Sequence, residues 1–273
     1  MRSDKPKLGQ NFLVSPAAQQ QIVAALGEIA QATVVEIGPG KGAITSLLIP
    51  RAGQLVCIEL DRTLAAAAQA RWASAPHVRI LPASVLDVDF AQFVRAAAPG
   101  HAQDKLVVVG NLPYYITSDI LLHLFAQADR IDRVVVMVQD EVADRLAAQP
   151  GTRDYGVLSA TAQLHARVEK LFTVAPEAFE PPPAVNSAVV RLTMQPRFAE
   201  LGVPRKEFLR FTQRIFQQKR KTLANNLKAA GFAASAIQQA LDAAQLAPAV
   251  RPEQVQLEDT ARIFRQLHPH LFL

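Results

Sequence analysis

Short runs of apolar and β-branched residues alternate with longer helix-like stretches along the first 195 residues of the chain. The short runs have the length and composition of buried strands. They cover residues 33–37, 55–60, 78–81, 106–109, 134–138 and 188–193. A first helix is predicted to begin at Ser15-Pro16, and further helices near residues 43–48, 63–72, 118–126 and 141–147. This alternation favours an α/β fold with a doubly wound, parallel sheet.

The pattern changes after residue 195, where residues 206–228 and 233–244 have the composition of helices. On a helix through the first of these stretches, Phe208, Phe211 and Ile215 share an apolar face. The opposite face carries Arg210, Arg214, Gln217, Lys221 and Lys228 if the helix is continuous. Lys219 and Arg220 break this pattern, so a turn at that point is the alternative. We therefore predict two domains, an α/β domain over residues 1–195 and a small all-α domain over residues 196–273.

Charge is divided unevenly between these two parts. Residues 1–195 hold 17 basic and 18 acidic residues, whereas residues 196–273 hold 12 basic and 6 acidic ones. A basic tail on a nearly neutral body suggests a polyanionic partner, such as nucleic acid or an anionic membrane surface. A solvated basic surface is the simpler alternative.

Composition excludes several classes of protein. The chain is 50% hydrophobic and 19% charged, which is typical of a globular protein rather than a disordered one. Its single cysteine, Cys57, excludes an intramolecular disulfide and a cysteine-cluster zinc site. His268 and His270 lack an evident third ligand, so we expect no metal. A polar start and the lack of an apolar run near ~20 residues predict a cytoplasmic protein without a membrane anchor.

The strongest local signal for a cofactor is the glycine loop that follows the first predicted strand. Gly38 and Gly40 lie between this strand and a helix, where glycine permits a tight turn and close approach to a ligand. Glu59 ends the next strand, at the spacing of a carboxylate that binds ribose hydroxyls. A dinucleotide or S-adenosyl-L-methionine would satisfy this pattern. Glu36, before the glycines, is typical of methyltransferases.

A second motif, Asn111-Leu112-Pro113-Tyr114, follows the fourth predicted strand and resembles that of amino-methyltransferases. The adenine amine is a poor nucleophile because its lone pair is delocalised into the ring. Two acceptors aimed at its N–H bonds would localise that lone pair, and the Asn111 side chain and the Pro113 backbone carbonyl are the expected pair. Tyr114 would provide a face on which the base stacks.

Taken together, motifs along nearly the whole chain resemble those of the ribosomal RNA adenine dimethyltransferase family. They are residues 7–13, 36–42, 59–61, 111–114, 179–187 and 219–223. The resemblance implies a Rossmann-like class I methyltransferase, with a mostly parallel seven-stranded sheet, one added antiparallel strand and a small helical carboxy-terminal domain. It also implies S-adenosyl-L-methionine as cofactor. The implied substrate is a pair of adjacent adenosines near the 3′ end of small-subunit rRNA, in the rRNA alone or in an immature subunit.

The resemblance further implies roles for single residues. Asn11 and Leu13 would contact the cofactor from the amino-terminal segment, with Gly38 and Gly40 along its methionine part and Glu59 on its ribose. Asn111 would touch both cofactor and target amine, and Phe179 would stack the extruded adenine opposite Tyr114. The expected RNA-binding residues are Arg210, Arg214, Lys219, Arg220 and Lys221.

Two positions depart from the family pattern. Ser84 stands where relatives commonly carry an acidic residue that meets the adenine of the cofactor, and we expect Ser84 to accept one hydrogen bond there. Tyr115 stands where relatives usually carry asparagine, and we expect it to affect the shape of the pocket more than the chemistry.

Three alternatives remain open at this stage. A methyltransferase acting on large-subunit rRNA would carry similar motifs. A nicotinamide dehydrogenase would use the same glycine loop, but the chain shows no evident catalytic histidine or tyrosine–lysine pair. An RNA-binding assembly factor could retain the fold without the activity. For the leading interpretation we expect a monomer.

Overall fold

The computed structural model describes residues 11–90, 105–218 and 220–268. Its strands are β1 (Phe12–Leu13), β2 (Thr33–Ile37), β3 (Gln54–Glu59), β4 (Val78–Pro82), β5 (Leu106–Asn111), β6 (Ile131–Gln139), β7 (Ala166–Val174), β8 (Phe179–Glu180) and β9 (Ser187–Met194). Seven of them form one sheet in the order β4–β3–β2–β5–β6–β9–β7, and β1 pairs separately with β8. All the strands predicted from the apolar runs are present, with bounds that differ by up to three residues.

The helices of the described residues alternate with the strands in the first half of the chain and follow one another without strands after residue 194. They are α1 (Pro16–Ala25), α2 (Thr45–Leu48), α3 (Arg62–Arg71), α4 (Thr117–Ala126), α5 (Asp140–Ala147), α6 (Val157–His165), α7 (Arg205–Ile215), α8 (Leu223–Ala229), α9 (Ala234–Ala243) and α10 (Leu257–Leu267). Helix α1 begins where the sequence predicts, because the Ser15 hydroxyl accepts from the Ala18 N–H and Pro16 occupies the first turn.

The directions of the strands bring several strand ends to one edge of the sheet. β2 pairs in parallel with β3 and β5, and β5 pairs in parallel with β6. β9 runs antiparallel to β6, with Gln139 opposite Ser187. The carboxyl ends of the parallel strands and the first residue of β9 therefore share one edge, and this is where ligands bind in open α/β sheets.

The first compact unit comprises the chain up to Ala143 together with Val168–Met194. Its central strands are buried on both faces, as in β2, where every residue is buried. Cys57 is buried within β3, as predicted.

The second compact unit comprises Asp144–Arg167 and the chain from Gln195 onward. The sequence prediction of a single boundary at 195/196 misses the first of these segments. Tyr155, Ala160 and Leu164 from this segment are buried in one apolar cluster with Phe208 and Phe264. The reason for the difference is thus a long-range core, which local composition does not reveal.

Residues 206–228 form two helices, in agreement with the alternative of a turn within this stretch. α7 ends at Ile215, and Thr222 caps α8 by accepting from the Asn225 N–H. The amphipathic prediction is confirmed in α7, since Phe208, Phe211 and Ile215 are buried. The sequence analysis did not predict strand β7 or helices α6 and α10.

Candidate active site

A cavity of about 550 Å³ opens at the edge of the sheet where these strand ends meet. The structure brings nearly all of the predicted site residues of the first unit to its wall. They are Asn11, Leu13, Gly38, Gly40, Glu59, Ser84, Asn111, Pro113 and Tyr114. They come from β1 and the residue before it, from the loops after β2 and β4, from the ends of β3 and β5, and from the turn that follows β5.

The glycine loop is shaped by backbone conformations that other residues rarely adopt. Gly38 and Gly40 have φ angles of +66° and +57°. A Cβ on Gly40 would come within 3.2 Å of the Phe12 ring, so the loop packs directly under that side chain. Lys41 places its Nζ 4.5 Å from the centroid of the same ring.

Glu59 is fixed by the backbone around it. One carboxylate oxygen accepts from the Gly40 N–H at 3.1 Å and the other from the Asp61 N–H at 2.9 Å. A carboxylate has about four acceptor positions, so two remain for hydroxyl groups of a ligand. The buried Glu59 is therefore held in place at the cavity wall with spare acceptor capacity.

Glu36 is a buried carboxyl group at the base of the glycine loop. It accepts from the Thr45 hydroxyl at 2.7 Å and lies 3.5 Å from the Cys57 sulfur. Burial raises the pKa of Glu36 to about 7, although the hydrogen bonds oppose the shift. The sequence marks Glu36 as part of the motif but contains no signal of this raised pKa.

Asn111 ends β5 with its side-chain amide held in one orientation. Its Nδ2–H donates to the backbone carbonyl of Asn11 at 3.0 Å. Because the carbonyl of Asn11 can only accept, this bond assigns the nitrogen to that side and leaves Oδ1 as an acceptor at the cavity. The arrangement supports the acceptor role predicted for Asn111.

Pro113 does not fit the acceptor role predicted for its carbonyl. That oxygen accepts from the Thr117 hydroxyl at 2.9 Å and from the Ile116 N–H at 3.2 Å. A carbonyl has two lone pairs, so both are occupied within the turn that leads into α4. Leu112 also lines the cavity, and among the described residues no donor bonds to its carbonyl.

Tyr114 is anchored at the far side of the same turn. Its hydroxyl forms a 2.6 Å hydrogen bond with the hydroxyl of Ser187, the buried first residue of β9. Burial raises the pKa of the Tyr114 phenol, so the group stays neutral. The bond fixes the ring at the cavity wall, which suits a stacking surface. Sequence reasoning missed Ser187 as the anchor because the contact joins distant segments.

Phe179 does not lie at the cavity. It is 3% exposed, belongs to the buried apolar cluster of the first unit, and stands opposite Leu13 in the β1–β8 pair. A ring so enclosed has no free face for a base, so the stacking role predicted for Phe179 is not supported in this conformation.

Ser84 caps the short turn after β4. Its hydroxyl oxygen accepts from the Leu86 N–H at 3.2 Å, so the hydroxyl hydrogen and one lone pair remain for a ligand. Its position at the cavity fits the contact expected of it, without the charge of an acidic residue.

The basic residues of the tail are exposed in the second unit. Arg210 and Arg214 lie on α7, and Arg220 and Lys221 on the turn before α8. Lys219 lies outside the described residues. The buried Asn226 holds this turn, since its side chain accepts from the Gln218 N–H and donates to the carbonyls of Gln218 and Thr222.

The cavity fits the expected S-adenosyl-L-methionine on three grounds. These are its volume of about 550 Å³, the positive φ angles of Gly38 and Gly40 that shape the loop at its wall, and the spare acceptors of Glu59. No cluster of three or more metal-ligating side chains occurs in the described part of the chain. In the same residues, no helix is both long and apolar enough to cross a bilayer.

The parallel sheet with an antiparallel β9, the glycine loop and the Asn111 turn define a Rossmann-like methyltransferase. The fold agrees with that of a dimethyladenosine transferase from Plasmodium falciparum, with a TM-score of 0.81 at 21% identity over 94% of this chain and 98% of the other. The 23S rRNA methyltransferase ErmE has the same fold, with a TM-score of 0.69 at 24% identity over 94% and 99% of the two chains.

The chain belongs to the ribosomal RNA adenine dimethylase family, whose model matches residues 1–268. It is 56% identical to the ribosomal RNA small subunit methyltransferase A of Acidobacterium capsulatum, over 96% of this chain and 91% of the other. It is 51% identical to the protein of the same name from Koribacter versatilis, over 96% and 94% of the two chains.

Proposed function

We propose that this protein transfers methyl groups from S-adenosyl-L-methionine to the N6 amines of two adjacent adenosines near the 3′ end of small-subunit rRNA. Membership of the adenine dimethylase family and the names of its most similar relatives support this substrate. The observation that carries the chemistry is the orientation of Asn111, whose Oδ1 is left as an acceptor at the cavity.

Asn111 Oδ1 accepts one N–H of the target amine. The second acceptor is the carbonyl of Leu112, which replaces Pro113 in this role because the Pro113 oxygen is saturated by Thr117 and Ile116. Two acceptors on one amine draw its nitrogen toward tetrahedral geometry and localise the lone pair. Positioning of this kind supplies much of the rate enhancement in transfer between bound groups.

The cofactor supplies an electrophilic methyl group on a sulfonium that leaves as a neutral thioether. Gly38 and Gly40 allow its close approach, Glu59 accepts from its ribose hydroxyls, and Ser84 meets its adenine. Asn11 and Leu13 close the cavity from the amino-terminal side. The cationic amine formed by transfer loses its proton readily, so no dedicated base is required.

Tyr114 holds the target adenine by stacking, with its ring fixed by Ser187. The amine of a paired base is out of reach, so the adenosine is bound single-stranded or extruded. Arg210, Arg214, Lys219, Arg220 and Lys221 bind the RNA backbone by charge. We further propose that the protein acts as a monomer, in the cytoplasm, on the rRNA of an immature small subunit.

The test is methyl transfer to ribosomal particles from cells that lack this methylation. Purified protein and radiolabelled S-adenosyl-L-methionine are incubated with small and large subunits in separate reactions. Label in the small-subunit rRNA alone is expected. Label in the large-subunit rRNA would indicate the antibiotic-resistance type of methyltransferase, and RNA binding without label would indicate an assembly factor.

A further inference from the structure

Tyr115 is a large aromatic side chain left exposed beside the reacting site. It is 60% exposed, lines the cavity, and follows directly on Tyr114. No hydrogen bond or ring contact involves its side chain within the described residues. An exposed aromatic ring at the wall of a ligand-sized cavity has a stacking face available for a ligand.

The turn that carries Tyr115 is rigid. The Pro113 carbonyl accepts from the Ile116 N–H, which closes a turn with Tyr114 and Tyr115 at its centre, and the Thr117 hydroxyl binds the same oxygen. Tyr114 is tied to Ser187. Tyr115 is therefore presented by a fixed backbone, so little backbone conformational entropy is lost when a ligand stacks on it.

The strand order indicates which ligand stacks on Tyr115. Glu59 and Ser84, which suit the cofactor, lie at the ends of β3 and β4, on one side of β5. Ser187, which anchors Tyr114, begins β9 on the other side of β5. The turn after β5 thus lies between the residues that suit the cofactor and Ser187, to which Tyr114 is bonded.

We propose that Tyr115 stacks on the nucleotide adjacent to the target adenosine and so contributes to selection of a single-stranded RNA segment. Tyr114 would hold the reacting base and Tyr115 its neighbour, so that two consecutive residues receive two consecutive nucleotides. The inference rests on the proposed function, because it assumes that RNA is the substrate. Stacking on an aromatic side chain tolerates every base, so Tyr115 favours unpaired RNA rather than one sequence.

The test compares Tyr115→Ala and Tyr115→Phe with the wild type. Methyl transfer to small subunits gives KM for the RNA and kcat, and calorimetry gives the affinity for S-adenosyl-L-methionine. We expect Tyr115→Ala to raise KM about tenfold, with kcat and cofactor affinity changed less than about twofold. Tyr115→Phe retains the ring and the wild-type KM. Leu122→Ala, an exposed apolar residue on α4, is the matched control.

A direct readout uses a single-stranded RNA with two adjacent adenosines followed by 2-aminopurine. Binding of the wild type and of Tyr115→Phe should quench the fluorescence, and Tyr115→Ala should bind with less quenching. Unchanged KM and quenching in Tyr115→Ala, or a loss of cofactor affinity equal to the rise in KM, would overturn the role. If the wild type itself transfers no methyl group to RNA, the proposed function fails instead.

Discussion

The side-chain amide of Asn111 donates to the backbone carbonyl of Asn11 at 3.0 Å, across 100 positions of the chain. This contact ties the end of β5 to the amino-terminal segment that lines the same cavity. It also fixes which atom of the amide faces a ligand. The acceptor that the chemistry requires is therefore set by a partner outside the motif itself.

Replacing Asn111 should separate catalysis from binding. We expect Asn111→Ala to lower kcat by about 10²–10³-fold, a loss of the size seen when one preorganised polar group is removed from an active site. Asn111→Asp cannot donate to the Asn11 carbonyl and should also lose activity. RNA affinity, measured by filter binding, should change less than about twofold in both. A kcat within threefold of the wild type in Asn111→Ala would contradict the acceptor role.

The hydrogen bond between Tyr114 and Ser187 can be tested by substituting each residue and then both. Tyr114→Phe and Ser187→Ala each remove the hydrogen bond, and we expect each to lower the free energy of unfolding by about 1–2 kcal/mol. The double variant should cost less than the sum, because the buried partner is no longer left unsatisfied. Urea denaturation measures all three. Additive losses would show that the two hydroxyls do not depend on each other.

Glu36 should make stability depend on pH. Its carboxyl pKa is raised to about 7 in the folded protein, from 4.5 in the unfolded chain. The folded state therefore holds the proton more tightly, and stability decreases as pH rises from about 4.5 to about 7. The loss approaches about 3 kcal/mol above pH 7.

Glu36→Gln keeps a hydrogen-bond acceptor for Thr45 and removes the ionisation. We expect it to flatten this part of the stability profile and to be more stable than the wild type at pH 8, as measured by urea denaturation at a series of pH values. Glu28→Gln, at an exposed position, controls for the loss of a negative charge. A profile in Glu36→Gln that still falls over this range would exclude Glu36 as its source.

The turn before α8 should determine RNA binding through charge. Charge reversal at Arg220 and Lys221 should weaken RNA binding and reduce the slope of log affinity against log salt, by about 0.7 for each lost phosphate contact to single-stranded RNA. Salt titrations of binding measure the slope. An unchanged slope would remove these residues from the interface.

Asn226→Ala should weaken RNA binding without a change in net charge, because it frees the turn that holds Arg220 and Lys221. Its neighbour Asn225 is exposed and contributes only its backbone N–H, which donates to the capping hydroxyl of Thr222, so Asn225→Ala is a matched control. Equal affinities of the two variants for RNA would show that the hydrogen bonds of Asn226 to this turn do not affect RNA binding.

The sequence predicts the parts of the site that depend on local pattern. Apolar runs predict the strands, and glycines next to them predict a ligand loop at Gly38 and Gly40. Asn111 and Glu59 follow from their places at strand ends. The structure brings these residues to the wall of one cavity, as predicted, because each placement needs only the chain within a few residues and the direction of a strand.

The rest depends on contacts that form only when the chain has folded. The Pro113 carbonyl is occupied by a hydroxyl four residues further on, and that contact exists only once the turn has folded. Phe179 is enclosed because β8 pairs with β1, which lies far away in the sequence. The segment Asp144–Arg167 belongs to the second unit because its apolar residues are buried in the core of that unit. The hydrophobic pattern within the segment does not reveal this.

The most direct measurement of the central claim is nucleoside mass spectrometry of small-subunit rRNA after reaction with the wild type and with Asn111→Ala. The wild type should yield N6,N6-dimethyladenosine at two adjacent positions near the 3′ end, and Asn111→Ala should leave nearly all of those adenosines unmodified at equal enzyme concentration and reaction time. Dimethyladenosine from Asn111→Ala in wild-type amount, or methyl groups found on another base, would contradict a site built on the Asn111 carbonyl.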